Sequence, residues 1–156
     1  YLAGWVLIVP TWAAMLGLQE RNPWMLFAAM ALVWIADIAA YFAGRAWGRH
    51  KLAPSISPGK TWEGVGGAAA GVLIYGVAAA QVAGYTPPSI AGWALLLLGL
   101  TAVSIMGDLF ESMIKRQAGV KDSSNLLPGH GGLLDRLDSQ TSTLPLAALA
   151  LAWLSS

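Results

Sequence analysis

Residues 64–107 read GVGGAAAGVLIYGVAAAQVAGYTPPSIAGWALLLLGLTAVSIMG, 44 consecutive positions without a charged side chain. A membrane-crossing helix needs about 20 predominantly apolar residues. The run therefore has room for two spans and a turn. The turn is visible in Gly84-Tyr85-Thr86-Pro87-Pro88-Ser89, a cluster of helix breakers. This predicts spans over Val65–Ala83 and Ile90–Gly107.

Three further apolar segments flank this pair: Leu2–Leu18, Trp24–Ala43 and Leu144–Leu154. The last is too short to span unless its helix starts earlier, near Leu133. That start would carry Asp135, Arg136 and Asp138 into or beside the membrane. Composition agrees with membrane burial. The 156 residues are 56% hydrophobic and only 11% charged, against about 25% charged in a soluble domain. The expected fold is an all-α, polytopic integral membrane helix bundle with about five transmembrane segments. No linker or repeat divides it, so residues 1–156 read as a single membrane-embedded domain. No basic region precedes the first apolar segment, so it does not read as a signal peptide. Tyr1 stands where an initiator Met would, and the chain reads as the C-terminal part of a longer protein. The absence of cysteine excludes disulfides, thiol catalysis and thiolate metal ligands.

Charge placement predicts orientation. Every Lys and Arg except Arg21 falls in Gly44–Gly64 or Glu111–Ser139. These are alternate loops, and the positive-inside rule puts both on the cytoplasmic side. Trp5, Trp24, Tyr85 and Trp93 lie near segment ends and suit interfacial belts, with plain core packing as the alternative for each. Gly67 and Gly71 form a small-xxx-small pair. Such a pair permits close helix approach, within the chain first and between copies second.

Ionisable residues within apolar spans are costly and point to function. Asp37 and Asp108 are two such residues. The plain alternatives are a hydrogen-bonded packing residue for Asp37 and a headgroup-level helix end for Asp108. Lys115, Arg116 and Lys121 form a basic cluster, either a phosphate clamp or a topology signal. Pro128-Gly129-His130-Gly131-Gly132 is a loop whose backbone can approach a ligand closely. Asp135 and Asp138, three apart, share a helical face. With Asp108 they make a hard oxygen-donor set that suits Mg²⁺ rather than zinc. Carboxylates, cations and a glycine loop together match a metal-bound polyphosphate, whose transfer needs charge neutralisation and positioning.

The run SMIKRQAGVKDSSNLLPGHGGLLDRLD, residues 112–138, resembles the characteristic pattern of the phosphatidate cytidylyltransferase family. Ser112, Lys115, Arg116, Lys121, Asp122, Pro128, His130, Gly131, Gly132, Asp135, Arg136 and Asp138 all match it. Ser57-Pro58-Gly59-Lys60-Thr61-Trp62-Glu63-Gly64 is similar to a second family element. Asp37, Tyr41, Gly44 and Arg45 are similar to a third. The resemblance implies transfer of the cytidylyl group of CTP to phosphatidate, giving CDP-diacylglycerol and pyrophosphate. It implies a magnesium site, paired with a second metal, with Asp108 and Asp135 as ligands and Asp138 in support. Lys115, Arg116, Lys121 and Arg136 would bind phosphates, and His130, Gly131 and Gly132 would hold the phosphate-facing loop. Ser57, Lys60, Thr61 and Glu63 would complete the substrate pocket. Asp37 and Asp122 join the candidates without an assigned role. The implied setting is a bacterial inner membrane with the site facing the cytoplasm. The implied partners are CTP, phosphatidate, membrane lipid and a second copy of the chain, with no nucleic acid. The alternatives are a nucleotide-dependent lipid kinase and an ion-coupled transporter, the latter weakened because no inverted repeat is visible.

Overall fold

The computed structural model describes residues 2–120 and 138–154. Among these are five helices, α1 (Leu2–Arg21), α2 (Pro23–Trp47), α3 (Trp62–Val82), α4 (Ile90–Gln117) and α5 (Asp138–Leu154). A two-stranded antiparallel hairpin, β1 (Lys51–Ala53) and β2 (Ser57–Thr61), joins α2 to α3. The fold is the expected helical membrane bundle, with this hairpin as an addition. At about 1.5 Å per residue, the 25 residues of α2 and the 28 of α4 rise about 37 and 42 Å. Both exceed the bilayer's hydrocarbon core of about 30 Å. Among the described residues α2, α3 and α4 are long and apolar enough to cross a membrane.

Local signals explain the helix boundaries. Asn22 alone separates α1 from α2; its side chain accepts from the Trp24 amide at 3.0 Å, and Pro23 fills the first helical position. Ser89 caps α4 through the Gly92 amide. Gly84 and Gly119 adopt positive φ (64° and 71°) just past the ends of α3 and α4. Only glycine takes that conformation without strain, so both helices stop there.

Helix α4 runs ten residues past the expected boundary at Gly107. Hydropathy marks where lipid contact ends, not where the helix ends, and no breaker intervenes before Gly119. Asp108, Ser112, Lys115 and Arg116 therefore lie on one helix. The expected loop at residues 44–64 is also more ordered than its polarity suggests, since α2 continues to Trp47 and the hairpin fills the rest. Helix α5 is described from Asp138, ahead of the apolar segment it carries, and the expected start near Leu133 lies outside the described residues.

Helices α2 and α3 lie closest together. A Cβ on Gly67 would collide with the Ala43 methyl, and one on Gly71 would come within 2.8 Å of Ala39 Cβ. The Gly67–Gly71 pair thus serves packing within the chain. Leu18, Val33, Val72, Leu97 and Leu144 fill the centre. Hydroxyls add polar ties between helices: Thr11 Oγ1 donates to Thr141 O (3.0 Å) and Tyr75 OH to Ala28 O (2.9 Å). The outward face is apolar, with Phe27, Ile38, Ile74, Leu95 and Met106 exposed. In water that would be an association hazard, whereas lipid solvates it.

Candidate active site

Topology gathers the charged residues at one end of the bundle. The hairpin sits where α2 ends and α3 begins. Helix α4 runs antiparallel to α3, so its C-terminal third returns to the hairpin. Two contacts fix that meeting. Lys60 Nζ of β2 pairs with Asp108 Oδ2 of α4. Arg116 Nε donates to Ile56 O at the hairpin turn, at 3.4 Å. Sequence-predicted Lys60, Asp108 and Arg116 are thus brought together. Glu20, Arg21 and the 83–89 connection lie at the other end.

Asp108 is the centre of the cluster. Ser112, one turn further along α4, approaches its Oδ1 at 3.5 Å. Glu111 and Lys115 form the next i,i+4 pair at 3.3 Å, with Lys115 only 15% exposed. Asp108, Glu111 and Lys115 therefore follow one another at helical spacing along one end of α4, with Arg116 next to Lys115. Glu111 was not among the sequence candidates, although its spacing from Asp108 and Lys115 is a readable signal. Lys60 and Asp108 are each 24% exposed, which leaves the pair open to solutes.

The hairpin is held by its own anchors. Thr61 is 4% exposed and caps α3, accepting from the Gly64 amide at 3.1 Å. Its side chain fills the space beside Gly44 and Gly48 at the end of α2. Glu63, in the first turn of α3, accepts from the His50 backbone amide (3.2 Å) and meets its Nδ1 at 2.7 Å. Glu63 also sits at the positive end of the α3 dipole. Thr61 and Glu63, read from sequence as pocket residues, thus have a visible local task of fixing the strand that carries Lys60. His50 shares that task and was not singled out. Ser57 begins β2, paired across from Ala53.

Asp37 lies ten residues before the end of α2, about 15 Å along its axis. It shares a helical face with Tyr41 and Arg45, whose side chains hydrogen-bond at 2.8 Å. Lys121, Asp122, Pro128, His130, Gly131, Gly132, Asp135 and Arg136 lie outside the described residues. Asp138 opens α5, and the backbone places it. Ser142 Oγ donates to Val103 O at 3.4 Å. Asp138, one turn before Ser142 on an antiparallel helix, therefore begins α5 at the Asp108 end of the bundle.

A separate cavity of about 400 Å³ opens between the opposite halves of α2, α3, α4 and α5, with Ala28, Tyr75, Ala79, Trp93, Leu97 and Ala147 in its wall. No charged side chain lines it, so it is distinct from the polar cluster.

Comparison with known proteins places the sequence in a family. The model of the cytidylyltransferase family matches residues 1–154. A phosphatidate cytidylyltransferase from Pseudomonas aeruginosa is 49% identical over 158 residues, covering 96% of this chain and 56% of that protein. One from Haemophilus influenzae is 48% identical over 124 residues, covering 78% of this chain and 43% of the relative. One from Mycobacterium leprae is 40% identical over 153 residues, covering 96% and 46%. The chain spans about half the length of the curated relatives it matches.

Proposed function

Because this chain belongs to the cytidylyltransferase family, we propose that the protein containing it transfers the cytidylyl group of CTP to phosphatidate. The products are CDP-diacylglycerol and pyrophosphate. The observation that carries this reading is the polar end of the bundle, where Lys60, Asp108, Ser112 and Arg116 converge. The relatives' names supply the substrates.

In the proposed reaction a phosphate oxygen of the lipid attacks the α-phosphorus of CTP. A new oxygen–phosphorus bond forms, the bond to the β-phosphate bridging oxygen breaks, and pyrophosphate leaves. Attacking and leaving groups are both anions, so the protein's main task is to offset their repulsion. Lys60, Lys115 and Arg116 are the sequence candidates among the described cations at this end, which also include Arg45, Arg49 and Lys51. Arg116 suits bidentate phosphate contact, and the lysines act as point charges. On the family resemblance, Lys121 and Arg136 would join them as phosphate ligands, and His130, Gly131 and Gly132 would hold a phosphate-binding loop. Asp122 remains a candidate without a fixed role, and so does Asp37.

The donors fit a hard divalent cation. The Asp108 carboxylate and Ser112 hydroxyl are oxygen ligands, the chain has no cysteine, and the carboxylate is open to solvent. Asp108, Asp135 and, in support, Asp138 would hold Mg²⁺, with room in the proposal for a second metal. A bound Mg²⁺ would neutralise polyphosphate charge and polarise the phosphorus–oxygen bonds. Among the described residues no group of three His, Cys, Asp or Glu forms a metal site, so the proposed set depends on Asp135.

Membrane placement suits these substrates. Acyl chains stay in the bilayer while the headgroup meets a soluble nucleotide at the basic end. By the positive-inside rule that end faces the cytoplasm, and in bacteria the membrane would be the inner one. A homodimer completes the proposal, on family resemblance alone, with an interface other than the Gly67–Gly71 seam.

The full-length protein, purified in detergent, tests this with CTP, phosphatidate and Mg²⁺. Magnesium-dependent CDP-diacylglycerol with equimolar pyrophosphate is expected. A lipid kinase would release CDP instead, and that product would overturn the reading.

A further inference from the structure

Lys60 stands on the same carboxylate that the proposed function assigns to a cation. Its ammonium meets Asp108 Oδ2, and neither group is buried. The backbone carrying Lys60 is tied down independently of this contact. Arg116 Nε donates to Ile56 O at 3.4 Å, the Trp62 amide donates to His50 O at 3.0 Å, and Glu63 holds His50 at 2.7 Å. The strand is thus fixed, while a lysine's four-carbon stem is flexible and can carry its ammonium to another partner.

An ammonium and a divalent cation cannot share one oxygen at contact distance, because like charges repel strongly there. We propose that Lys60 is an exchangeable counter-charge for Asp108. It neutralises the carboxylate until a divalent cation displaces it, and the released ammonium then turns onto the phosphates that accompany the cation. The inference rests on reading Asp108 as a cation ligand. It adds a consequence that the reading does not contain: cation and polyphosphate favour one another's binding through a single side chain. A cation alone must displace Lys60 and gains nothing for it, whereas a cation arriving with phosphate offers the ammonium a new partner. Lys115 is not equivalent, since its partner Glu111 is on its own helix.

The test is a titration of Mn²⁺ alone into the nucleotide-free, full-length protein in detergent, with free Mn²⁺ read by electron paramagnetic resonance. Lys60→Met removes the charge and keeps most of the length. Its Mn²⁺ dissociation constant should fall by about threefold to tenfold, the size of a partly exposed ion pair. Lys60→Gln should do the same, and Lys60→Arg should stay near wild type. Thermal melting of each variant identifies any that misfold, and the remaining neutral variant then decides. Asp108→Asn should lose the Mn²⁺ site. Unchanged or weaker Mn²⁺ binding in both neutral variants, with the site lost in Asp108→Asn, would overturn the exchange and leave Asp108 as a cation ligand. Mn²⁺ binding intact in Asp108→Asn would overturn both.

Discussion

Thr61 is buried where three segments meet. Its hydroxyl caps α3, and its side chain abuts Gly44 and Gly48. Removing the hydroxyl in Thr61→Val should cost about 1 kcal/mol of stability, the usual worth of a helix cap. Thr61→Ser should keep most of it, and thermal melting in detergent distinguishes the two. Asp108 makes a different demand, because its partners are Lys60 and Ser112 and its surroundings are partly open. Asp108→Asn should reduce turnover by about 100-fold or more, the scale of losing one electrostatic stabiliser, while melting like the wild type. Lys60, Asp108 and Arg116 were all legible as candidates, since charge in so apolar a chain is conspicuous. Their mutual contacts were not legible. Nothing local to Lys60 says that β2 meets α4, and the pairing of His50 with Glu63 exists only once the hairpin has formed.

Among the elements, the seam between α2 and α3 is the most constrained. Gly67 and Gly71 face Ala43 and Ala39 at distances that leave no room for a side chain. Gly67→Val should destabilise the protein by about 1–3 kcal/mol, as overpacking of a filled core does. Gly66 provides the control, since a Cβ there meets nothing within 4 Å. Gly66→Ala should be neutral or slightly stabilising, because alanine is the better helix former. Equal melting temperatures for Gly67→Val and Gly66→Ala would remove the seam from the account of stability. The small-xxx-small spacing was readable from sequence; its partner helix was not, because spacing alone does not separate packing within a chain from packing between chains. The extent of α4 is not legible from hydropathy for a related reason. Apolar content reports the lipid boundary, and the helix continues into the polar region until Gly119.

The whole molecule is polar at one end and apolar along its flanks. Alternation of loop charge already implied that arrangement, and the contacts of β2 with α4 agree with it. The chain's lack of cysteine makes the orientation directly measurable. In inside-out vesicles, Lys51→Cys should react with a membrane-impermeant maleimide and Thr86→Cys should not. The reverse pattern would invert the proposed topology. Half the length of the relatives lies beyond what this chain covers, so the catalytic test belongs to the full-length protein. It should be given phosphatidate, Mg²⁺ and CTP labelled at either the α- or the γ-phosphate. Label from the α position should pass into the lipid, and label from the γ position should leave as pyrophosphate. Label from the γ position in the lipid would contradict cytidylyl transfer.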